Sequence, residues 1–246
     1  MIDSIECKDG SFTAYSAEFE EHYHSVTDGA LSESLYKHVI PAMEAVKGRD
    51  SVRILDICFG LGFNTLATVY YLQQHSIDMK LEILSVELDH TLVSSLKSFA
   101  YPQEFDDLRH IISSIASTGS YSSDQISIEV VFMDAREFVA TQIGLFDIIY
   151  QDAFSPSSNP TLWTLEYFKE LDRLTHNSSI ITTYSIALKT RLALYRNNFK
   201  VYLNSIKECR DSTLASKSEL VGYKKIDMEH KIACNSLVEP LRDRDL

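Results

Sequence analysis

The chain has 246 residues, 45% of them hydrophobic, which suits one large α/β domain, or one domain plus an extension, with a proper core. Its formal charge of -12 disfavours a surface that binds nucleic acid everywhere. No run approaches the roughly 18 apolar residues of a membrane helix. The acidic start Met1-Ile2-Asp3-Ser4-Ile5-Glu6 has no apolar signal segment, so a cytoplasmic protein is expected. Cys7, Cys58, Cys209 and Cys234 form no C-x-x-C pair, and reduced thiols without a zinc site are expected.

In chain order, residues 1–50 precede the first core strand and are expected to form an N-terminal extension, either a cap or a packed arm. Residues 51–246 would form the main domain. Short apolar runs at Val52–Ile57, Leu81–Val86, Ile128–Met133, Phe146–Tyr150 and Ser179–Thr183 predict strands. Helical patterns alternate with them. Phe63, Leu66, Ala67 and Tyr70 share one helix face, and Leu92, Leu96 and Phe99 repeat that spacing after Asp89, a candidate N-cap. Asn159-Pro160 predicts a further helix start, with Leu162, Leu165, Phe168 and Leu171 on its apolar face. Tyr121 to Asp124 reads as a polar loop. Phe199–Leu203 and Glu219–Tyr223 follow one another without a helix and predict an antiparallel pair at one sheet edge. The fold class is therefore α/β, a doubly wound, mostly parallel sheet with an antiparallel edge.

The first strand ends in Asp56 and leads into Phe59-Gly60-Leu61-Gly62-Phe63-Asn64. Gly60 and Gly62 allow a tight turn and a close approach of backbone to ligand. Thr65 stands where a dinucleotide fingerprint needs its third glycine, so a pyrophosphate site is disfavoured. A Gly-x-Gly turn below an acidic strand end suits S-adenosylmethionine instead. Glu87, ending the second strand, is placed to accept ribose hydroxyls; Asp134, followed by the small Ala135, is placed to meet an adenine amino group. Each acid alone also reads as a helix cap. Three at successive strand ends, with the glycine turn, favour the ligand. No histidine shows metal-ligand spacing, and no metal is expected.

After the fourth strand, Gln151-Asp152-Ala153-Phe154-Ser155-Pro156 packs a carboxylate, an aromatic ring and a proline into one turn, and Asn159-Pro160 and Trp163 follow. That turn suits a planar ligand beside a negative charge. Residues 186–231 reverse the chain's acidity, with 10 Lys+Arg against 5 Asp+Glu. They form either an ordinary solvated surface or a local basic face for a phosphate backbone.

Four blocks together resemble the methyltransferase domain of the MnmC family. They are Tyr23-His24-Ser25 with Gly29-Ala30 and Glu33, Phe59 to Leu66, Asp152-Ala153-Phe154-Ser155-Pro156 with Asn159-Pro160 and Leu162-Trp163-Thr164, and Thr213 to Lys217. Departures are modest: His24 stands where an aromatic hydrocarbon ring is frequent, and Cys58 where glycine is. The resemblance implies a Rossmann-like S-adenosylmethionine-dependent methyltransferase over residues 51–246. It would methylate the amine of 5-aminomethyl-(2-thio)uridine at the tRNA wobble position. The family's flavin oxidase domain has no counterpart here, so a stand-alone form is implied, with the aminomethyl group supplied by another enzyme.

On this reading Asp56, Phe59, Gly60, Gly62, Asn64, Glu87, Asp134 and Ala135 hold the cofactor. Asp152 is the catalytic candidate, orienting the acceptor amine for in-line methyl transfer; its competing role is to bind the cofactor's ammonium group. Tyr23, His24, Phe154, Pro156 and Trp163 are placed around the base, where aromatic stacking contributes about 1–3 kcal/mol per base. Lys189, Arg191 and Lys217, with Arg196 and Lys200, are candidates for phosphate contact. Two other readings stay open, an aminopropyltransferase of the spermidine synthase type and a non-catalytic nucleotide- or tRNA-binding module.

Overall fold

A computed structural model describes residues 3–246; Met1 and Ile2, the start of the acidic N-terminus and of the 1–50 extension, lie outside the described residues. Strands β1 (Ser4–Glu6), β2 (Phe12–Ser16) and β3 (Glu21–His22) form a small antiparallel sheet in the order β1-β2-β3. Helix α1 (Ala30–Glu33) runs into a π-helical stretch, Ser34–Val39, and on into α2 (Ile40–Ala45).

The main sheet is built from β4 (Ser51–Ile57), β5 (Lys80–Glu87), β6 (Ser120–Ser122), β7 (Ile126–Phe132), β8 (Phe146–Gln151), β9 (Thr175–Thr183), β10 (Lys200–Asn204), β11 (Ser212–Ser216) and β12 (Lys224–Lys225). Its order is β12-β10-β11-β9-β8-β4-β5-β7-β6. The five strands β9-β8-β4-β5-β7 are parallel; β11, β10 and β12 continue antiparallel at one edge, and β6 pairs antiparallel at the other. Between strands run α3 (Phe63–Gln74), α4 (His90–Ser95), α5 (Arg109–Thr118), α6 (Ala135–Thr141), α7 (Leu165–Arg173) and α8 (Leu188–Arg196), and α9 (Met228–Cys234) follows the sheet.

Side chains alternate across a strand, and the core splits accordingly. Ile54, Ile83, Ile148, Ile180 and Leu214 join α3, α4 and α5 on one face, with Phe63, Phe105 and Ile111. Leu55, Ile149, Ile181 and Ala215 join α6, α7 and α8 on the other, with Phe138, Phe168 and Leu192. Each such side chain, fully buried, contributes roughly 1.5–3 kcal/mol. An exposed ion pair contributes 0–1 kcal/mol. The two apolar layers therefore set the fold, and the sheet's carboxyl ends are left free to carry chemistry.

Three local expectations are corrected. The helix expected from Asn159 begins at Leu165, capped by Thr164, whose hydroxyl accepts from Tyr167 N at 3.1 Å. Pro160–Leu162 is only a 3-10 turn, because Trp163 leaves helical geometry, with φ of -132°, on a fully buried side chain. The edge strand expected at Glu219–Tyr223 is a turn in which Val221 is 94% exposed. Its place in the ladder is taken by Ser212–Ser216, whose hydroxyls are satisfied internally: Thr213 Oγ1 donates to Ser185 O and Ser216 Oγ to Ser179 O. Tyr121 to Asp124, read as a loop, starts within β6 and turns into β7.

Candidate active site

A cavity of about 1210 Å3 opens at the carboxyl ends of the parallel strands, where ligands bind in open α/β sheets. One side is built by the turn after β4. Gly60, at φ +53°, donates its N–H to Glu87 Oε2 at 2.8 Å, and a Cβ there would stand 3.1 Å from the Tyr23 ring. Gly62, at φ +75°, does not line the cavity. It packs against Phe59, whose Cζ would be 2.7 Å from any Cβ, and opens α3 in a left-handed conformation. Cys58 is also left-handed, at φ +64°, a geometry that glycine adopts without cost and that costs other residues about 1–2 kcal/mol. Cys58 is therefore held there by its surroundings. Burial, together with Glu87, Asp152, Asp56 and Asp134, keeps its thiol protonated.

Glu87 already accepts three backbone N–H groups, from Gly60, Leu88 and Asp89, which leaves lone-pair capacity for one more donor. Burial raises its pKa; those amides oppose the rise. Asp134 caps α6 through Oδ1, accepting from Arg136 N and Glu137 N, and still lines the cavity with Ala135. Cap and cavity wall are thus one residue.

Asp152 follows β8 and lies between the two halves of the cavity. Its Oδ2 accepts from Asn64 Nδ2 at 2.8 Å, and its Oδ1 is 3.5 Å from His38 Nε2. His38 is fully buried on the π-helical stretch, with Nδ1 2.8 Å from Thr182 Oγ1. Burial opposes ionisation of Asp152, but the neighbouring imidazoles of His38 and His24 and the Asn64 hydrogen bond outweigh it, holding the pKa at about 2. Asn64 Oδ1 is buried without a partner. Asp56 lies behind this group rather than in the cavity, 1% exposed, with Oδ2 accepting from Thr65 Oγ1 and Oδ1 unpartnered. Burial raises its pKa to about 7. The expected cofactor contact of Asp56 is corrected on that ground, as is that of Gly62.

The other side is aromatic. Phe154 stacks on Phe19 at 4.5 Å between centroids and lies 5.1 Å from Tyr23. Tyr184 completes the wall and donates to Ala153 O at 3.0 Å. Burial, with Glu87 and Asp89 nearby, pushes the Tyr23 hydroxyl up to about 12. His24 reaches the cavity but is mostly buried, its ring edge on Phe63; burial lowers its pKa.

Trp163, expected in the wall, is 1% exposed and does not line the cavity; its Nε1 donates to Phe154 O at 2.7 Å and fixes the loop from behind. Pro156 also stays out of the cavity, since Ser155 and Ser158 turn the loop onto the Glu21 carboxylate. Glu21, Phe19, His38 and Tyr184 were not singled out from sequence. None belongs to a motif, and only the fold brings them together.

The basic candidates separate. Lys217 donates to Asp172 O and Thr175 O and pairs with Asp172, at the amino end of β9, opposite the cavity. Arg196 pairs with Glu239 and Lys200 with Glu219. Arg191 is half-buried, with Nε on Thr213 Oγ1, and burial lowers its pKa. Phosphate contact by Lys217 and Arg191 is therefore corrected, because the Lys217 ammonium is spent inside the protein and the Arg191 guanidinium is turned inward, with Nη2 buried. Lys189 remains exposed at the start of α8. Among the described residues no group of three or more His, Cys, Asp or Glu is arranged to hold a metal, and no helix is long and apolar enough to cross a membrane.

Residues 106–218 match a family described as S-adenosyl-L-methionine-dependent methyltransferase. The uncharacterized protein MJ0670 of Methanocaldococcus jannaschii is 30% identical over 246 residues, covering 98% of this chain and 67% of that protein. The tRNA 5-methylaminomethyl-2-thiouridine biosynthesis bifunctional protein MnmC of Azoarcus sp. is 30% identical over 202 residues, 77% of this chain. The chain spans only 31% of that relative's length. The crystal structure of MNMC2 from Aquifex aeolicus superimposes with a TM-score of 0.84 at 28% identity, covering 99% of this chain and 79% of that one. With the strand-end carboxylates, the glycine turn and the Asp152 loop in one cavity, the chain belongs to the MnmC-type family of S-adenosyl-L-methionine-dependent methyltransferases.

Proposed function

We propose that this enzyme methylates the amine of 5-aminomethyl-(2-thio)uridine at the wobble position of tRNA, giving the 5-methylaminomethyl nucleoside. The observation that carries the reading is the place and state of Asp152. It is an ionised carboxylate set between a glycine turn with acidic strand ends and an aromatic corner. The names of the MnmC relatives support the choice of substrate.

The residues present fit the cofactor. Gly60 lines the cavity in a left-handed turn where a Cβ would press on the Tyr23 ring, so the backbone there is bare toward a ligand. Glu87 retains capacity for a ribose hydroxyl, and Asp134 and Ala135 edge the adenine position. Asn64 Oδ1, a buried acceptor without a partner, suits an ammonium group. The cofactor, when bound, supplies a methyl group on a positively charged sulfur, and an acid-lined cavity favours that charge.

Asp152 then accepts an N–H of the acceptor amine and turns its lone pair toward the Gly60 side. With a pKa of about 2 it is a weak base; its part is to orient the nitrogen and to offset the positive charge that develops on it. Phe154, Tyr23 and Tyr184 hold the unstacked base, the form in which RNA loops are read.

The test is to incubate the protein with labelled S-adenosylmethionine and tRNA carrying 5-aminomethyluridine, and to digest to nucleosides. The expected product is methylaminomethyluridine. Its absence refutes the assignment, and rapid aminopropyl transfer to putrescine from decarboxylated cofactor would replace it. Asp152→Asn should lower turnover by about 100-fold or more, the scale of a lost transition-state contact, with cofactor affinity within a few-fold. The opposite split would make Asp152 a cofactor ligand.

A further inference from the structure

The cavity is lined by eight carboxylates, and among the described residues Arg210 is its single Lys or Arg. Arg210 lies in the loop between β10 and β11. Because β11 runs antiparallel to β9, with Thr213 opposite Thr183, this loop emerges on the cavity's end of the sheet. Its guanidinium is anchored on one side only. Nε donates to Asp28 Oδ2 at 3.0 Å and Nη2 to Ser25 Oγ at 2.8 Å. Asp28 is itself buried and fixed by Lys37 Nζ at 2.7 Å. The Arg210 side chain nevertheless remains 69% exposed, with Nη1 making no hydrogen bond among the described residues. A cation held by a buried acid and pointed at an opening is preorganised for an anion.

Which anion follows from strand order. Arg210 precedes β11, two strands beyond β8 and Asp152, and three strands from β4, which leads to Gly60. At about 4.8 Å per strand, the axes of β11 and β4 are roughly 14 Å apart. Along the sheet the Arg210 loop lies on the far side of β8 and Asp152 from β4. Lys207, in the same loop, is exposed and makes no ion pair among the described residues.

Resting on the proposed tRNA substrate, we infer that Arg210 is a phosphate-binding residue, gripping the RNA backbone beside the extruded base. Arg196, Lys200 and Lys217 are tied to carboxylates elsewhere on the surface and are not available for that contact.

The test compares wild type with Arg210→Gln in binding a fluorescent anticodon stem-loop across a salt series. S-adenosylhomocysteine affinity by calorimetry and the thermal midpoint serve as controls. The expected result is about tenfold weaker stem-loop binding at low salt. The slope of log affinity against log salt should fall in magnitude by about 0.7, the value for one phosphate on a single strand. Arg210→Lys should recover the slope and only part of the affinity, lacking the fork geometry. An unchanged slope overturns the inference, because a residue that merely supports Asp28 and Ser25 would not alter it. Weakened S-adenosylhomocysteine binding also overturns it, assigning Arg210 to the cofactor's carboxylate. This readout is independent of turnover, so failure to methylate tRNA would sink the proposed function separately.

Discussion

Asp56 is fully buried and Asp152 stands at the cavity wall with its side chain 12% exposed, yet the two are driven in opposite directions. Asp152 has Asn64 and two histidines to hold its charge; Asp56 has one hydroxyl and an unpartnered oxygen. The consequence is a pH dependence with a definite sign. Asp56 is held at about 7 in the folded protein, against about 3.9 for a free aspartate. Between roughly pH 4 and pH 7 the native state keeps a proton that the unfolded chain releases, so the stability this group provides below pH 4 is lost as pH rises through 7. Asp56→Asn cannot ionise. It should match wild type in unfolding free energy near pH 4 and exceed it at pH 8 by on the order of 4 kcal/mol, about three pH units at 1.36 kcal/mol each. An equal difference at both pH values would refute the account. At this scale the sequence was informative about residues that reach the cavity from their own segment: Gly60, Glu87, Asp134 and Asp152 line it, and all follow or end a strand. It was silent on His38 and Arg210, whose importance comes from what the fold sets beside them.

The loop from Ala153 to Trp163 shows how an element is specified from several directions. Two donors, Tyr184 Oη and Trp163 Nε1, hold the carbonyls of Ala153 and Phe154, while Glu21 collects Ser155 and Ser158. Trp163→Phe removes one of those donors and some buried volume. It should cost about 1–3 kcal/mol in thermal or urea unfolding. It should raise KM for the tRNA acceptor by severalfold while S-adenosylhomocysteine affinity stays put. If the cofactor affinity falls as far as the acceptor's, the loop serves both ligands. The sequence pattern showed this segment to be special but misplaced its helix. Asn159-Pro160 carries every local sign of a helix start, and the burial of Trp163 overrode them. The interior strand Ser212–Ser216 was missed for the opposite reason: small hydroxyl residues give no apolar alternation, and their burial depends on partners in β9 and β10.

At the level of the molecule, the five parallel strands and their two helical layers were readable because long apolar runs at regular spacing have few other uses. Less readable was how fully the first fifty residues enter the cavity. The small sheet and its connections supply Phe19, Glu21 and Tyr23 to the wall, and the π-helical stretch sets the buried His38 beside Asp152. Their contacts bridge long stretches of chain: Glu21 to Ser155 spans 134 residues, His38 to Thr182 spans 144, and Arg210 to Asp28 spans 182. Contacts of that separation close late, because the loop entropy must be overcome before they are formed. Refolding after dilution from urea should therefore run in two stages. Far-ultraviolet circular dichroism should return first, as the sheet and its helices form. Methyl-transfer activity should return in a slower phase, once the N-terminal segment has found its place. Simultaneous recovery of both signals would contradict this. The chemistry of this enzyme would then be the last property the chain acquires on folding, and the first it loses when its N-terminal segment comes loose.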